Sequence, residues 1–72
     1  GRHEAAIIDF SHAIEIDASV AYLFNNRGVA WRRRGARVRA IDDFSSAIAL
    51  FPSYVSALSS RGELYLEEGR PM

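Results

Sequence analysis

Apolar side chains along this chain recur at spacings of three and four residues, the spacing that lines one face of a helix. Two such stripes are present: Ile7, Phe10 and Ile14, and then Ile41, Phe44 and Ile48. Gly35 and Gly69 suit the left-handed residue that ends a helix, and Pro52 suits the start of the next one. The pattern predicts four helices, at about 3–16, 20–33, 37–50 and 54–68. Because the loops between them are short, consecutive helices should pack as antiparallel hairpins in an all-α fold.

The sequence also repeats itself. A shift of 34 residues aligns 12 identical pairs among the 38 overlapping positions, far more than chance would give. The identical pairs include Ala6/Ala40, Asp9/Asp43, Phe10/Phe44, Ser11/Ser45, Arg27/Arg61 and Gly28/Gly62. A period of this length is typical of helical repeat arrays, in which each unit is a pair of helices that stacks on its neighbours.

Residues at fixed points of this period resemble the signature of the tetratricopeptide repeat family. The motif reads Phe24-x2-Arg27-Gly28-x2-Trp31, then Ala40-x3-Phe44-x2-Ala47, then Pro52. The family has an aromatic residue, Leu-Gly and Tyr on one helix, and Ala, Phe and Pro on the next. The departures from it are Arg27 and Arg61 in place of Leu, Trp31 in place of Tyr, Ala18 in place of Pro and Arg37 in place of a common aromatic residue. The resemblance implies an α-solenoid of helical hairpins.

The resemblance covers the whole chain and divides it into three segments. Residues 1–18 match the second helix of one repeat, residues 19–52 match a complete repeat, and residues 53–72 match the first helix of the next. The chain begins without Met and opens within the pattern, so we expect a piece of a longer repeat array.

Small residues at matching points of the repeat are predicted to let the helices approach closely. Gly28 and Gly62 recur in both first helices, although Gly inside a helix costs about 1 kcal/mol relative to Ala. Ala6 and Ala40 are predicted to face them. Five aromatic side chains should be mostly buried around these contacts: Phe10, Phe24, Trp31, Phe44 and Tyr65.

The helices at the two ends of the chain are predicted to lack cover. The exposed apolar side chains would be Ile7, Phe10 and Ile14 at one end and Leu64, Tyr65 and Leu66 at the other. Because each repeat needs neighbours to bury its faces, we expect self-association through these end helices, by stacking or by exchange of helices.

A polar surface is predicted opposite the packing stripe. In the resembled family the equivalent surface lines a concave groove that binds peptides, and the resemblance implies the same role here. We call this set of residues the groove face: Tyr22, Asn25, Asn26, Val29, Arg32, Arg33, Ser56, Ser59, Ser60 and Glu63. Asn amides can hydrogen-bond a peptide backbone, and Arg can grip a carboxylate. An acidic ligand is therefore favoured on the arginine side.

Charge is balanced overall but unevenly placed. Residues 18–41 hold six arginines and no acid. Arg32 and Arg33 could pair with Glu63 and Glu67 of a neighbouring helix, and exposed pairs of this kind stabilise by about 0–1 kcal/mol each. The arginines could instead hold an acidic peptide or contact nucleic acid. The nucleic-acid reading is disfavoured because the nearby aromatic residues point mainly into the core, which leaves few platforms for stacking bases.

No catalytic or metal-binding constellation is found in the sequence. The chain has no Cys, and His3 and His12 lie too far apart to share a metal on one helix face. The adjacent acids Asp42 and Asp43 diverge on a helix. We therefore predict no enzyme activity and no cofactor. The longest apolar stretches, at 20–24 and 47–51, are far short of the roughly 20 residues of a membrane-spanning helix, so a cytoplasmic location is the default expectation.

These observations predict a protein–protein interaction scaffold that binds a peptide or partner segment in its groove. Two alternatives stay open: a purely architectural repeat segment that self-associates, and, less favoured, a nucleic-acid contact through the arginine cluster.

Overall fold

The computed structural model describes residues 1–69, and within that range the chain folds into four helices and no strand. The helices are α1 (Arg2–Ile16), α2 (Ala21–Arg33), α3 (Arg37–Leu50) and α4 (Val55–Glu67). The chief packing partners are α1 with α2, α2 with α3, and α3 with α4. The predicted all-α fold of helical hairpins is confirmed, with helix boundaries within one residue of those predicted.

Glycines end the two helices that the sequence indicated. Gly35 and Gly69 have φ angles of 88° and 74°, in the left-handed region that a side chain disfavours. After α2 the chain turns sharply, because the Ala36 N–H donates to the Trp31 carbonyl at 2.9 Å. Pro52 lies in the turn before α4, which begins at Val55, one residue after the predicted start at 54.

The turn between α1 and α2 is built without the usual Pro. The Ser19 N–H and Oγ–H both donate to Asp17 Oδ1, at 3.0 and 2.6 Å. Asp side chains commonly form local turns in this way, because the carboxylate replaces a backbone acceptor. These two hydrogen bonds favour the ionised carboxylate and lower the pKa of Asp17.

The core lies where α2, α3 and α4 meet. Its buried members are Ala40, Ile41, Phe44, Ala47, Ala57 and Leu64. A methyl group placed on Gly28 would stand 2.9 Å from Phe44 Cε1, closer than carbon atoms normally approach. The predicted close approach at Gly28 is therefore confirmed, and Gly62 at the equivalent point of α4 is also buried.

Of the five aromatic residues predicted to be mostly buried, only Phe44 is fully enclosed. Phe24, Trp31 and Tyr65 are partly buried against the core, and Phe10 is partly buried on α1. The outer side of Trp31 is covered by arginine instead of by apolar side chains. The guanidinium of Arg39 lies 5.0 Å from the centre of its ring system, within the range of a cation–π contact.

The end helices are better covered than predicted. Ile7 and Leu64 are 7% and 1% exposed, because each of their helices turns that side toward its neighbour. The expectation that both lack cover is wrong. Phe10, Ile14 and Tyr65 are partly exposed, whereas Leu66 is 69% exposed.

We predict that Gly28→Ala lowers the free energy of unfolding by about 1–3 kcal/mol. Alanine should favour the helix by about 1 kcal/mol, but its methyl group would collide with the buried Phe44 ring. Urea unfolding followed by circular dichroism measures the effect. The cost should shrink in a Phe44→Leu background, where space is available. An equal cost in both backgrounds would show that the ring is not the obstacle.

A pH effect is expected at the first turn. The folded state lowers the pKa of Asp17 from its ordinary value of 3.8, so the stabilisation is present above that value and disappears as the pH falls through the lower folded-state pKa. Asp17→Asn keeps an oxygen acceptor but cannot ionise. Wild type should be the more stable at neutral pH and lose its advantage in strong acid. Thermal melts from about pH 7 to about pH 2 test this, with Glu15→Gln as the control.

Candidate functional site

The groove face is assembled from two helices that polar contacts hold side by side. Arg32 donates through Nη1 to Glu63 Oε1 at 2.9 Å and through Nη2 to Glu67 Oε1 at 3.1 Å. These hydrogen bonds, first the one to Glu63, raise the pKa of Arg32. The predicted pairing is therefore confirmed for Arg32, and it joins α2 to α4. Because all three side chains are partly exposed, each pair stabilises by only about 0–1 kcal/mol.

The predicted residues differ in how accessible they are. The exposed members are Tyr22, Arg33, Ser56, Ser59 and Glu63, and the half-buried members are Asn26, Val29, Arg32 and Ser60. Asn25 differs from the expectation, because it is only 5% exposed. Its Nδ2 makes a long hydrogen bond of 3.5 Å to Ser56 Oγ, which places the amide between α2 and α4, beneath the surface.

The buried amide of Asn25 has one polar atom without a partner. Asn25 Oδ1 has no hydrogen bond among the described residues. Exchanging the amide oxygen and nitrogen would only move the deficit to the other atom, since Ser56 can satisfy one of them. A buried polar atom of this kind costs about 1–3 kcal/mol until a donor or acceptor reaches it.

The arginine cluster is largely committed to contacts within the chain. Arg34 Nε lies 3.9 Å from Glu4 Oε1, and Arg37 Nε lies 3.8 Å from Glu67 Oε2. Arg27 and Arg32 form hydrogen-bonded ion pairs, and Arg39 covers Trp31. Among residues 1–69, Arg33 has no recorded ion pair or ring contact and is exposed on the groove face.

Arg27 holds three helices together, a role that the sequence did not predict. Its Nε and Nη2 donate to Asp43 Oδ2 and Oδ1 at 2.7 and 2.8 Å, and its Nη1 donates to Ser11 Oγ at 3.1 Å. Asp43 is only 4% exposed, and the hydrogen bonds to it raise the pKa of Arg27. Arg61 repeats part of the arrangement, since its Nη1 donates to Ser45 Oγ at 3.1 Å.

The signal for this three-helix contact was present in the repeat. The pairs Arg27/Arg61, Asp9/Asp43 and Ser11/Ser45 all recur at 34 residues. In the sequence Arg27 stands at a Leu position of the resembled family, and the three recurring residue types belong to three different helices. Their side chains meet only once the helices are packed.

Two functional features are absent from the part of the chain that the structure describes. No group of three or more His, Cys, Asp or Glu side chains there is placed to hold a metal ion. None of the four helices combines the length and apolar character that crossing a membrane requires.

No family model matches the chain. Over 58 residues, 81% of its length, the chain is 31% identical to the TPR repeat-containing thioredoxin TTL4 of Arabidopsis thaliana, and it spans about 8% of that protein. This similarity and the all-helical hairpins indicate TPR-like helical repeats and, in general terms, a protein-interaction module.

We predict that Asp43→Asn lowers the free energy of unfolding by about 1–3 kcal/mol, because it leaves the half-buried Arg27 without a counter-charge. The neighbouring change Asp42→Asn removes the same charge from an exposed position and should have little effect. Chemical denaturation of both variants measures the difference. Equal losses in the two variants would show that general charge balance, and not the pair, is responsible.

Proposed function

We propose that the chain is part of a helical scaffold that binds an extended peptide or partner segment across its groove face. In this proposal α1 is the second helix of one repeat, α2 and α3 form a complete repeat, and α4 is the first helix of the next. The last three residues of segment 53–72 lie outside the described residues. The main observation in support of this proposal is the accessibility of Asn26 and Arg33. Both remain accessible on the groove face, whereas the other charged donor there, Arg32, is already paired with carboxylates.

The chemistry of this surface suits a peptide backbone. Asn26 offers both a donor and an acceptor, which matches the alternating groups of an extended chain. Arg33 can take a carboxylate with two parallel hydrogen bonds.

Charge gives the bound segment a preferred direction. Glu63 is 60% exposed on the α4 side, and Glu67 beside it is also exposed. Arg32 neutralises only part of this acidic surface. An acidic residue of the ligand is therefore favoured near Arg33 and disfavoured near α4.

A nucleic-acid contact is less well supported than a peptide. Five of the six arginines between residues 18 and 41 already contact carboxylates or aromatic rings within the chain. Binding a phosphate backbone would require several free cations, since its affinity comes from the number of phosphates neutralised.

The test uses fluorescein-labelled octapeptide pools of acidic, neutral and basic composition, with binding measured by fluorescence anisotropy. The acidic pool should bind tightest. Changing Asn26 and Arg33 together to Ala should weaken it by about 1–3 kcal/mol, about 5–150-fold, because a charge-assisted and an amide hydrogen bond are lost. Thermal stability should be nearly unchanged.

The matched control is Arg39→Ala, which removes the same charge from an exposed position on α3. The groove assignment is wrong if the double substitution leaves binding of the acidic pool unchanged. It is also wrong if the control substitution reduces that binding equally. Tight binding of a single-stranded oligonucleotide with steep salt dependence would instead support a nucleic-acid contact.

A further inference from the structure

The groove face presents charges of opposite sign on its two helices. Arg33 on α2 is exposed and forms no ion pair within residues 1–69. Glu63 on α4 has a side chain that is 60% exposed. Arg32, which is next to Arg33 in the chain, donates to Glu63 Oε1 at 2.9 Å. A cation and an anion are therefore both available to a ligand, and they lie on neighbouring helices.

The guanidinium of Arg32 satisfies only part of the acidic surface. It is shared between two carboxylates, because its Nη2 donates to Glu67 Oε1 at 3.1 Å. Glu63 accepts from Arg32 through Oε1 alone, and its Oε2 accepts no hydrogen bond from the described part of the chain. Arg37 Nε lies 3.8 Å from Glu67 Oε2, which is beyond hydrogen-bonding distance. Glu63 therefore keeps a free acceptor for a Lys or Arg side chain of a ligand.

The repeat shows that an adjoining helix leaves these positions accessible. Glu67 is the repeat equivalent of Arg33, and Val29 is the repeat equivalent of Glu63. Arg33 is exposed with α4 beside it on one side, and Glu67 is exposed with α2 beside it on the other side. Val29 and Glu63 also keep accessible surface in these two settings. Further helices of an array, placed before α2 and after α4 in the same way, therefore leave Arg33 and Glu63 open to a ligand.

The separation of the two charges selects a spacing in the ligand. Neighbouring helices that are joined through long side chains stand about 10 Å apart. A peptide of the polyproline II type rises about 3.1 Å per residue with three residues per turn, so residues three positions apart lie on one side, about 9 Å from each other. Asn26 and its repeat equivalent Ser60 are partly accessible on the same two helices and can hydrogen-bond the backbone between them.

We propose that the groove face binds a segment that carries an acidic residue and, three positions away, a basic residue. The inference rests on the peptide-binding function proposed above and adds a rule for the sequence of the partner. The acidic side chain pairs with Arg33, and the basic side chain pairs with Glu63. A second acidic residue in place of the basic one meets the carboxylates of α4 and is repelled. A basic residue in place of the acidic one meets Arg33 and is also repelled.

Peptides of identical composition test the spacing. Capped, fluorescein-labelled octapeptides of Ser, Ala and Pro carry one Glu and one Lys, which are adjacent, three positions apart or at the two ends. Binding is measured by fluorescence anisotropy in about 50 mM salt, which screens exposed charges less than physiological salt does. The peptide with the separation of three should bind about 3-fold tighter than the other two, because only it reaches both charges. Replacing its Lys with Glu should weaken binding by about 5-fold.

Exchanging charges on the protein should change this preference. Arg33→Glu should bind a peptide with Lys at both positions better than the mixed peptide. Glu63→Gln should bind the mixed peptide and one with Ser in place of Lys equally well. The matched controls are Arg39→Glu and Asp42→Asn, which make the same charge changes at exposed positions of α3 and should keep the wild-type preference.

Several results would overturn the spacing rule. It is wrong if the three peptides of one composition bind alike, if the mixed peptide binds no better than the acidic one, or if a folded Arg33→Glu chain keeps the wild-type preference. Circular dichroism checks folding; if Arg33→Glu is unfolded, Glu63→Gln and the peptide series decide the question. Acidic peptides that bind without regard to spacing leave the proposed function intact. If no peptide binds, the proposed function is wrong and the spacing rule is wrong with it.

Discussion

The contact between Gly28 and Phe44 sets the distance between α2 and α3, and much of the structure depends on that distance. A methyl group on Gly28 would already be too close to the ring. At this separation the neighbouring side chain, Arg27, donates to Asp43 through Nε and Nη2. Its Nη1 donates to Ser11 on the other side. A larger residue than Gly would widen the gap, and the ion pair would lengthen with it.

The Arg27–Asp43 pair contributes more to the arrangement of helices than to net stability. Removing two charges from water is costly, and their mutual attraction only roughly compensates for this. The pair is nevertheless directional, because two parallel hydrogen bonds are made only in one register. A helix displaced by one turn would leave Asp43 buried without a cation.

Committing most arginines to internal contacts shapes the candidate site. A cluster of six cations in 18–41 suggests a strongly basic surface when the sequence is considered alone. In the folded chain, carboxylates or rings engage five of them, and Arg33 remains on the groove face. A site with one accessible guanidinium and an amide suits a single acidic group on a peptide better than a polyanion.

The helices, their hairpin order and their glycine-terminated ends follow from the sequence, because spacing of three and four residues and left-handed glycines are local properties. The likeness of α1 to α3, and of α2 to α4, also follows from the period of 34. The sequence did not determine which of two neighbouring side chains becomes buried or paired within the chain. Asn25 is buried while Asn26 is accessible, and Arg32 is paired while Arg33 is not. Neighbouring residues differ by only about 100° around a helix. Whether each one is buried, paired or accessible therefore depends on where α4 lies against α2. That position is decided by packing in three dimensions.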